Sequence, residues 1–413
     1  MKKLRIKIRT GLQGKALERK SLERKVFLCI LLCGAFLFGS AKVRAEPLPD
    51  GQAQTESDYL TQFRGELDFT DLDELLETEA RKGERAPIRF SELVDLLISD
   101  GPEAFDGRLL MEWLSDALFY EIRENRRLLA EVLLLAVAFS VLKNFSGAFR
   151  QAYIAEISFF LVYGILAVLL LQSFTNYEAI AEELLGKSID FMKALVPAFC
   201  VSMVFSVGAG TSAAFYQTAF LVIYLIQWLF LKVLMPLIHG YILLVLFRHF
   251  FEEEKFENLA ELLKGVIEWS LKSAGVLVIG MNVVQGLLAP AKDRLMSGSL
   301  QKAAELIPGI GAVASGIGEL LLGSGILIKN CVGVAALIIL ALLGLLPFLK
   351  ILCITVFYKL AAVVAEPVTD MRIAGCLKGM AEGGVLYLKL ILYCLSLFFV
   401  TIALTTAASG LLA

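Results

Sequence analysis

Charge is scarce in this chain of 413 residues: 19% are Asp, Glu, Lys or Arg, against about 25% in ordinary soluble domains. Histidine is scarcer still. His239 and His249 are the only two, ten residues apart around an apolar run. Neither an HExxH pattern nor a His/Cys cluster accompanies them, which argues against a zinc site. No CxxC pair occurs among the seven cysteines, and none of the seven falls in the acidic stretch at residues 46–106. A disulfide framework is therefore not expected there, and the cysteines in apolar runs read as small buried side chains. Cys29 lacks the small preceding residues of a lipid-attachment site, since Leu28 and Leu32 are bulky.

Nucleotide-binding patterns are missing as well. Leu185-Gly186-Lys187-Ser188 ends like a phosphate-binding loop, but Ala181 stands where its first glycine is needed and no strand pattern precedes it. The glycines of Gly309–Gly318 lack both the Lys-Ser/Thr ending and a βαβ setting. The sequence therefore offers no catalytic, cofactor or metal residues, and it reads as a non-enzymatic protein with no cofactor.

What is abundant is apolar side chain, 57% of the total, with a mean hydropathy of +0.72. The apolar residues cluster in runs, the mark of a polytopic, all-helical membrane protein. A core about 30 Å thick needs roughly 20 helical residues at 1.5 Å each. Candidate spans are Leu128–Phe145, Tyr153–Ser173, Ile189–Val207, Ala213–Leu231 and Val233–Phe247, then Ser273–Ala289, Asn330–Leu346, Lys350–Val364 and Val385–Ala408. The expected bundle has about seven to nine membrane segments, with Pro236 and Pro347 each placed to kink a helix or divide two.

The small net charge of −2 hides an uneven distribution. Residues 1–25 carry ten Lys/Arg against two Glu, and residues 46–106 carry seventeen Asp/Glu against five Lys/Arg. The basic segment adjoins the apolar run Val26–Gly39, and Val43 and Ala45 are small at the −3 and −1 positions of a cut before Glu46. That is a signal-sequence pattern over residues 1–45, not a nucleic-acid footprint. Residues 46–127 then form an acidic extracytoplasmic region with amphipathic helices. Its linker covers 46–60, Thr70 is the expected N-cap of a helix over Asp71–Ala80, and Phe90–Ile98 repeats apolar residues at helical spacing. A longer amphipathic helix is expected over Leu109–Leu129. So small a region lacks an independent core and is expected to dock on the membrane domain or a partner.

Two groups of spans follow, over 128–250 and 273–413. Between them Phe251–Lys272 reads as an amphipathic helix that is cytoplasmic or interfacial. Charge placement suits an extracytoplasmic amino end, with the loop Thr175–Ser188 outside and Arg248 inside, although Arg123, Arg126 and Arg127 run against it. Charged residues in or beside the spans include Glu131, Glu156, Lys232, Lys329, Lys350, Lys359 and Glu366, most near predicted ends where they reach the interface. The insert at 292–330 is rich in small residues. Pro308, Gly309, Gly311, Gly316, Gly318, Gly323, Gly325, Lys329 and Asn330 are its candidates for close helix packing or for lining a conduit.

Several strings in the second half carry a resemblance. They are Val284-Gln285-Gly286-Leu287-Leu288-Ala289, Ile307-Pro308-Gly309-Ile310-Gly311, Leu322-Gly323-Ser324, Lys329-Asn330-Cys331-Val332-Gly333, Leu346-Pro347-Phe348-Leu349-Lys350 and Tyr358-Lys359-Leu360-Ala361-Ala362. With the order of leader, acidic helices, spans and glycine-rich insert, the chain resembles the stage III sporulation protein AE family of endospore-forming bacteria. The resemblance implies a component of the channel or secretion-like complex joining mother cell and forespore, in the mother-cell-derived membrane around the forespore. It also implies partners: other membrane proteins of that complex, its cytoplasmic ATPase, and lipid, with no nucleic acid. The alternatives are a permease subunit moving a small solute and a scaffold that anchors partner proteins.

Overall fold

The computed structural model describes residues 65, 67–81, 89–99 and 101, short helical pieces between 119 and 141, and then 152–251, 254–304, 311–367, 369 and 371–407. The leader over 1–45, the linker over 46–60, the helix expected over Leu109–Leu129 except its last described pieces, and Pro308 and Gly309 lie outside those residues. Every described element is helical.

Helix α1 covers Thr70–Arg81 and α2 covers Phe90–Ser99. The spacing predicted both nearly to the residue, but the cap differs. Thr70 is already helical, and the Asp68 carboxylate accepts its N–H at 2.9 Å. The Thr70 hydroxyl and N–H hold Asp68 below the ordinary carboxylate range, so acid below that value releases this cap. Leu72 and Leu76 of α1 and Phe90, Leu93, Val94 and Leu97 of α2 are buried together. Asp73 accepts hydrogen bonds from the Ser91 hydroxyl at 2.5 Å and N–H at 3.2 Å, and Arg89 pairs with Glu77.

This pair sits on the long helices. α3 (Ala152–Val207) receives α1, and α2 lies against α7 (Gly311–Ala365). Phe90 is the wedge: its ring is 5.2 Å from Phe69 and meets Phe191 of α3 edge-on at 6.3 Å. Phe90→Ala is expected to cost about 3 kcal/mol by removing a buried aromatic side chain. Limited proteolysis would read this as faster cleavage between α1 and α3, with the long helices still resistant.

Between them run α4 (Ala209–Ile226), a π-helical segment over Gln227–Leu234, α5 (Met235–Phe251), and α6 (Glu254–Ala304); α8 (Met371–Ala407) ends the series. Three stretches are long and apolar enough to cross a membrane: Ala209–Arg248, Gly323–Ala365 and Arg372–Thr406. At 40, 43 and 35 residues each exceeds the roughly 20 that one crossing needs.

Several expected boundaries are therefore absent. Pro347 lies inside α7, which runs through it unbroken. Pro236 follows the π segment, where the Met235 N–H bonds the Phe230 carbonyl, one residue beyond the α-helical partner. The wider register moves the hydrogen-bond ladder just where proline has no N–H to give, so the helix continues into α5. The expected loop Thr175–Ser188 is also helix, in the middle of α3. Its carboxylates lie on one face, while Tyr177, Ala181, Leu184 and Leu185 are buried on the other. Amphipathic spacing here resembles a polar loop when only charge is counted. The amphipathic stretch Phe251–Lys272 likewise runs without a break into the span expected at Ser273–Ala289, together forming α6. The described parts of the 292–330 insert are the end of α6 and the start of α7.

One sharp turn is built by glycine. Gly208 has φ 96°, a conformation costly for any residue with a Cβ, and it separates α3 from α4. The Ser212 hydroxyl donates to the Cys200 carbonyl at 2.7 Å and Phe215 meets Phe199 edge-on at 5.4 Å, closing the hairpin.

Candidate functional site

Helix α8 is the hub of the bundle. Its sequence offers glycines at 375, 379, 383 and 384, polar side chains at Glu382, Lys389 and Thr401, and apolar residues between them. It packs against α3, α5, α6 and α7.

Toward α7 the contact is antiparallel and keyed at intervals of eleven residues. Gly333 faces Thr406, Gly344 faces Leu395, and Thr355 faces Gly384, with a Cβ on any of these glycines overlapping the side chain opposite. Eleven residues make three turns at 3.67 residues each, close to the intrinsic helical period, so the two helices stay in contact with little supercoiling. Toward α5 the same device recurs: Gly379 receives Val245 and Gly383 receives Ile242. Small residues let backbones approach and raise dispersion contact where no hydrophobic effect drives helices together.

Toward α6 the contact is parallel and polar. Lys264 donates to Glu382 at 2.8 Å, Lys389 to Glu268 at 3.1 Å, and the Asn282 amide to Thr401 at 3.2 Å. Their sequence separations are 118, 121 and 119, so one register holds along the seam. Gly275 against Tyr393 falls in the same register. Tyr241 of α5 donates to Glu382 at 3.0 Å, tying a third helix to the cluster. Glu268 is only 6% exposed. A carboxylate so placed persists because a cation and hydrogen bonds replace its water.

Further polar positions lie on α3 and α7. Lys329 is fully buried and donates to the Thr406 carbonyl at 2.9 Å, at the last turn of α8 where carbonyls lack helical partners. A cation there also opposes the negative end of the helix dipole. On α3, Glu178 lies 2.9 Å from His239 of α5, and Phe174 stands edge-on to the same imidazole at 5.1 Å. Tyr163 donates to the Leu246 carbonyl at 2.8 Å beside Cys376. Among the described residues no group of three or more His, Cys, Asp and Glu is arranged to hold a metal ion.

The stage III sporulation protein AE family matches residues 88–409, from just before α2 to just past α8. The chain belongs to this family. A curated relative, stage III sporulation protein AE of Bacillus subtilis (strain 168), is 27% identical over 318 residues, covering 76% of this chain and 78% of that protein. No solved structure matches the chain. The match takes in all the long helices, so the seams around α8 belong to the family's matched region.

The sequence candidates fall in several places. Gly311, Gly316 and Gly318 are in the first turns of α7. Gly323 is exposed with open space where a Cβ would lie, Gly325 is buried, Asn330 is half-buried, and Lys329 caps α8. Of the other charged residues weighed, Glu131 pairs with Arg127 on an exposed surface and Lys350 lies 3.9 Å from Glu121. Lys359 and Glu366 are exposed. The residues that join α6 to α8, among them Lys264, Glu268, Asn282, Glu382 and Lys389, are not among the sequence candidates. Their signal was available, since positions 268, 275 and 282 repeat every seven residues on α6.

Proposed function

We propose that this chain is a non-enzymatic, multi-span subunit of the channel or secretion-like complex joining mother cell and forespore after engulfment. The observation that carries the reading is family membership over residues 88–409. In it the chain works with other membrane proteins of that complex and with a cytoplasmic ATPase, in the mother-cell-derived membrane around the forespore. The leader over 1–45 is removed after Ala45, the amino end lies outside the cytoplasm, and seven to nine segments meet lipid. Pro308, the insert glycines, Lys329 and Asn330 pack helices or line a conduit.

A scaffold that only anchors partners is the second reading, favoured by the ion pairs between α6 and α8 that lock the bundle to itself. A substituted-cysteine scan from 311 to 330 separates the two. Water-accessible positions on one helical face favour a conduit, and uniform protection favours a scaffold. The direct test of the main reading is deletion of the gene in its host, followed by microscopy of engulfed forespores. Forespores that shrink and fail late gene expression, rescued by this gene alone, are the expected result. Normal spores would overturn the proposal.

A further inference from the structure

Where α3, α7 and α8 meet, hydroxyl groups collect that no described residue satisfies. The Ser173, Tyr177 and Tyr387 hydroxyls are buried and make no hydrogen bond among the described residues. Tyr177 and Tyr387 are each 0% exposed. Two of the three hydroxyls have a hydroxyl neighbour close by that stops short of hydrogen-bond geometry. Thr355, beside Tyr177, donates to the Ile351 carbonyl at 2.6 Å, and Ser173 lies beside Tyr358. Rings draw the positions together: Tyr177 is 6.3 Å from Tyr358, and Phe174 is 5.7 Å from Tyr387.

Burial of a phenol without a partner is costly, and native proteins almost always avoid it. Another buried tyrosine of the chain shows how this cost is ordinarily met. Tyr163, 2% exposed, gives its proton to the Leu246 carbonyl. Three unsatisfied hydroxyls at one junction therefore mark a place built for a small polar occupant.

The junction also has an approach. Phe174 touches both Tyr387 and His239, so one aromatic ring separates the buried hydroxyl from the Glu178–His239 pair. That pair is half-open, its side chains 28% and 38% exposed. Glu178 and Glu182 are the charged groups facing Tyr387. His239 follows the π-helical segment Gln227–Leu234 and Pro236, a break in the regular ladder of the kind that recurs at functional sites.

We propose that this junction is a hydrated site in which ordered water binds the hydroxyls of Ser173, Tyr177 and Tyr387 and links them to the Glu178–His239 pair. Water fits because each hydroxyl offers one donor and two acceptor positions, which water answers in kind. The site gives the interior of the long-helix bundle an aqueous connection, independent of whether the channel reading holds.

Radiolytic hydroxyl-radical footprinting of the purified full chain tests this, because radicals form from bound water and oxidise the side chains beside it. Tyr177 and Tyr387 are expected to be oxidised several-fold faster than Tyr163, which has the same chemistry and burial but a protein partner. Equal rates would overturn the proposal. Tyr177→Phe and Tyr387→Phe give a second reading by sign. A lower melting temperature in each is expected from the loss of water-mediated bonds, whereas a higher one would mean that the hydroxyls were simply unsatisfied.

Discussion

Lys389→Met is expected to destabilise the bundle by about 3–5 kcal/mol, the cost of taking the cation away from a buried carboxylate. The partner is Glu268, bound at 3.1 Å and 7% exposed at its side chain. Methionine keeps most of the volume and apolar stem of lysine, so the loss reports charge rather than a cavity. The double variant Glu268→Gln with Lys389→Met removes both charges together and is expected to recover most of the loss, since a buried ion pair often adds little over neutral groups of the same shape. The comparison is made as a double-mutant cycle on purified protein, reading the denaturant or temperature midpoint of each variant. Lys264→Met is expected to cost less, because the Lys264 and Glu382 side chains are 35% and 39% exposed and water can replace either partner. Equal losses at the two positions would mean that the burial of Glu268 does not govern what the ion pair is worth.

Helices α1 and α2 were legible in the sequence because a single apolar face repeats at 3.6 residues between polar flanks. Phe90, Leu93, Val94 and Leu97 leave no other reading. The long helices were legible as apolar runs but not as continuous elements. Counting spans divides the chain at Pro236, at Pro347 and at clusters of charge, yet Pro347 is tolerated inside α7 and the carboxylates of 178–183 ride on a helix whose far side is buried. Neither feature costs a helix its continuity once neighbours cover the right face. The seams around α8 were least legible, since a partner helix is not written in a single segment. Lys389 looks like any lysine just inside the end of a span, and only its register against Glu268, with Lys264 and Asn282 in the same register, distinguishes it. Glycines had the same ambiguity. Richness drew attention to 309–325, whereas the glycines at which a Cβ would collide, 333, 344, 379, 383 and 384, are sparser and matter through what they face.

Gly384→Val is the second large effect, and it follows from that opposition. A Cβ at 384 would overlap Thr355, whose hydroxyl is already committed to the Ile351 carbonyl at 2.6 Å. The threonine cannot swing aside without giving up that bond, and Ile351 and Tyr358 are buried on the same helix. The backbones of α7 and α8 must therefore separate, and overpacking of this kind costs about 1–3 kcal/mol even in forgiving cores. Because Gly333, Gly344 and Gly384 share one register, separation at one point loosens the others, so the effect is expected at the upper end of that range. Thr355→Ala makes room for the added side chain and is expected to restore part of the stability when combined with Gly384→Val. Gly280→Ala, on an exposed face of α6 with nothing within 4 Å of the new methyl, is expected to leave the midpoint unchanged or raise it slightly. The melting midpoints of the three variants, taken side by side, distinguish close helix approach from a general intolerance of larger residues in the bundle.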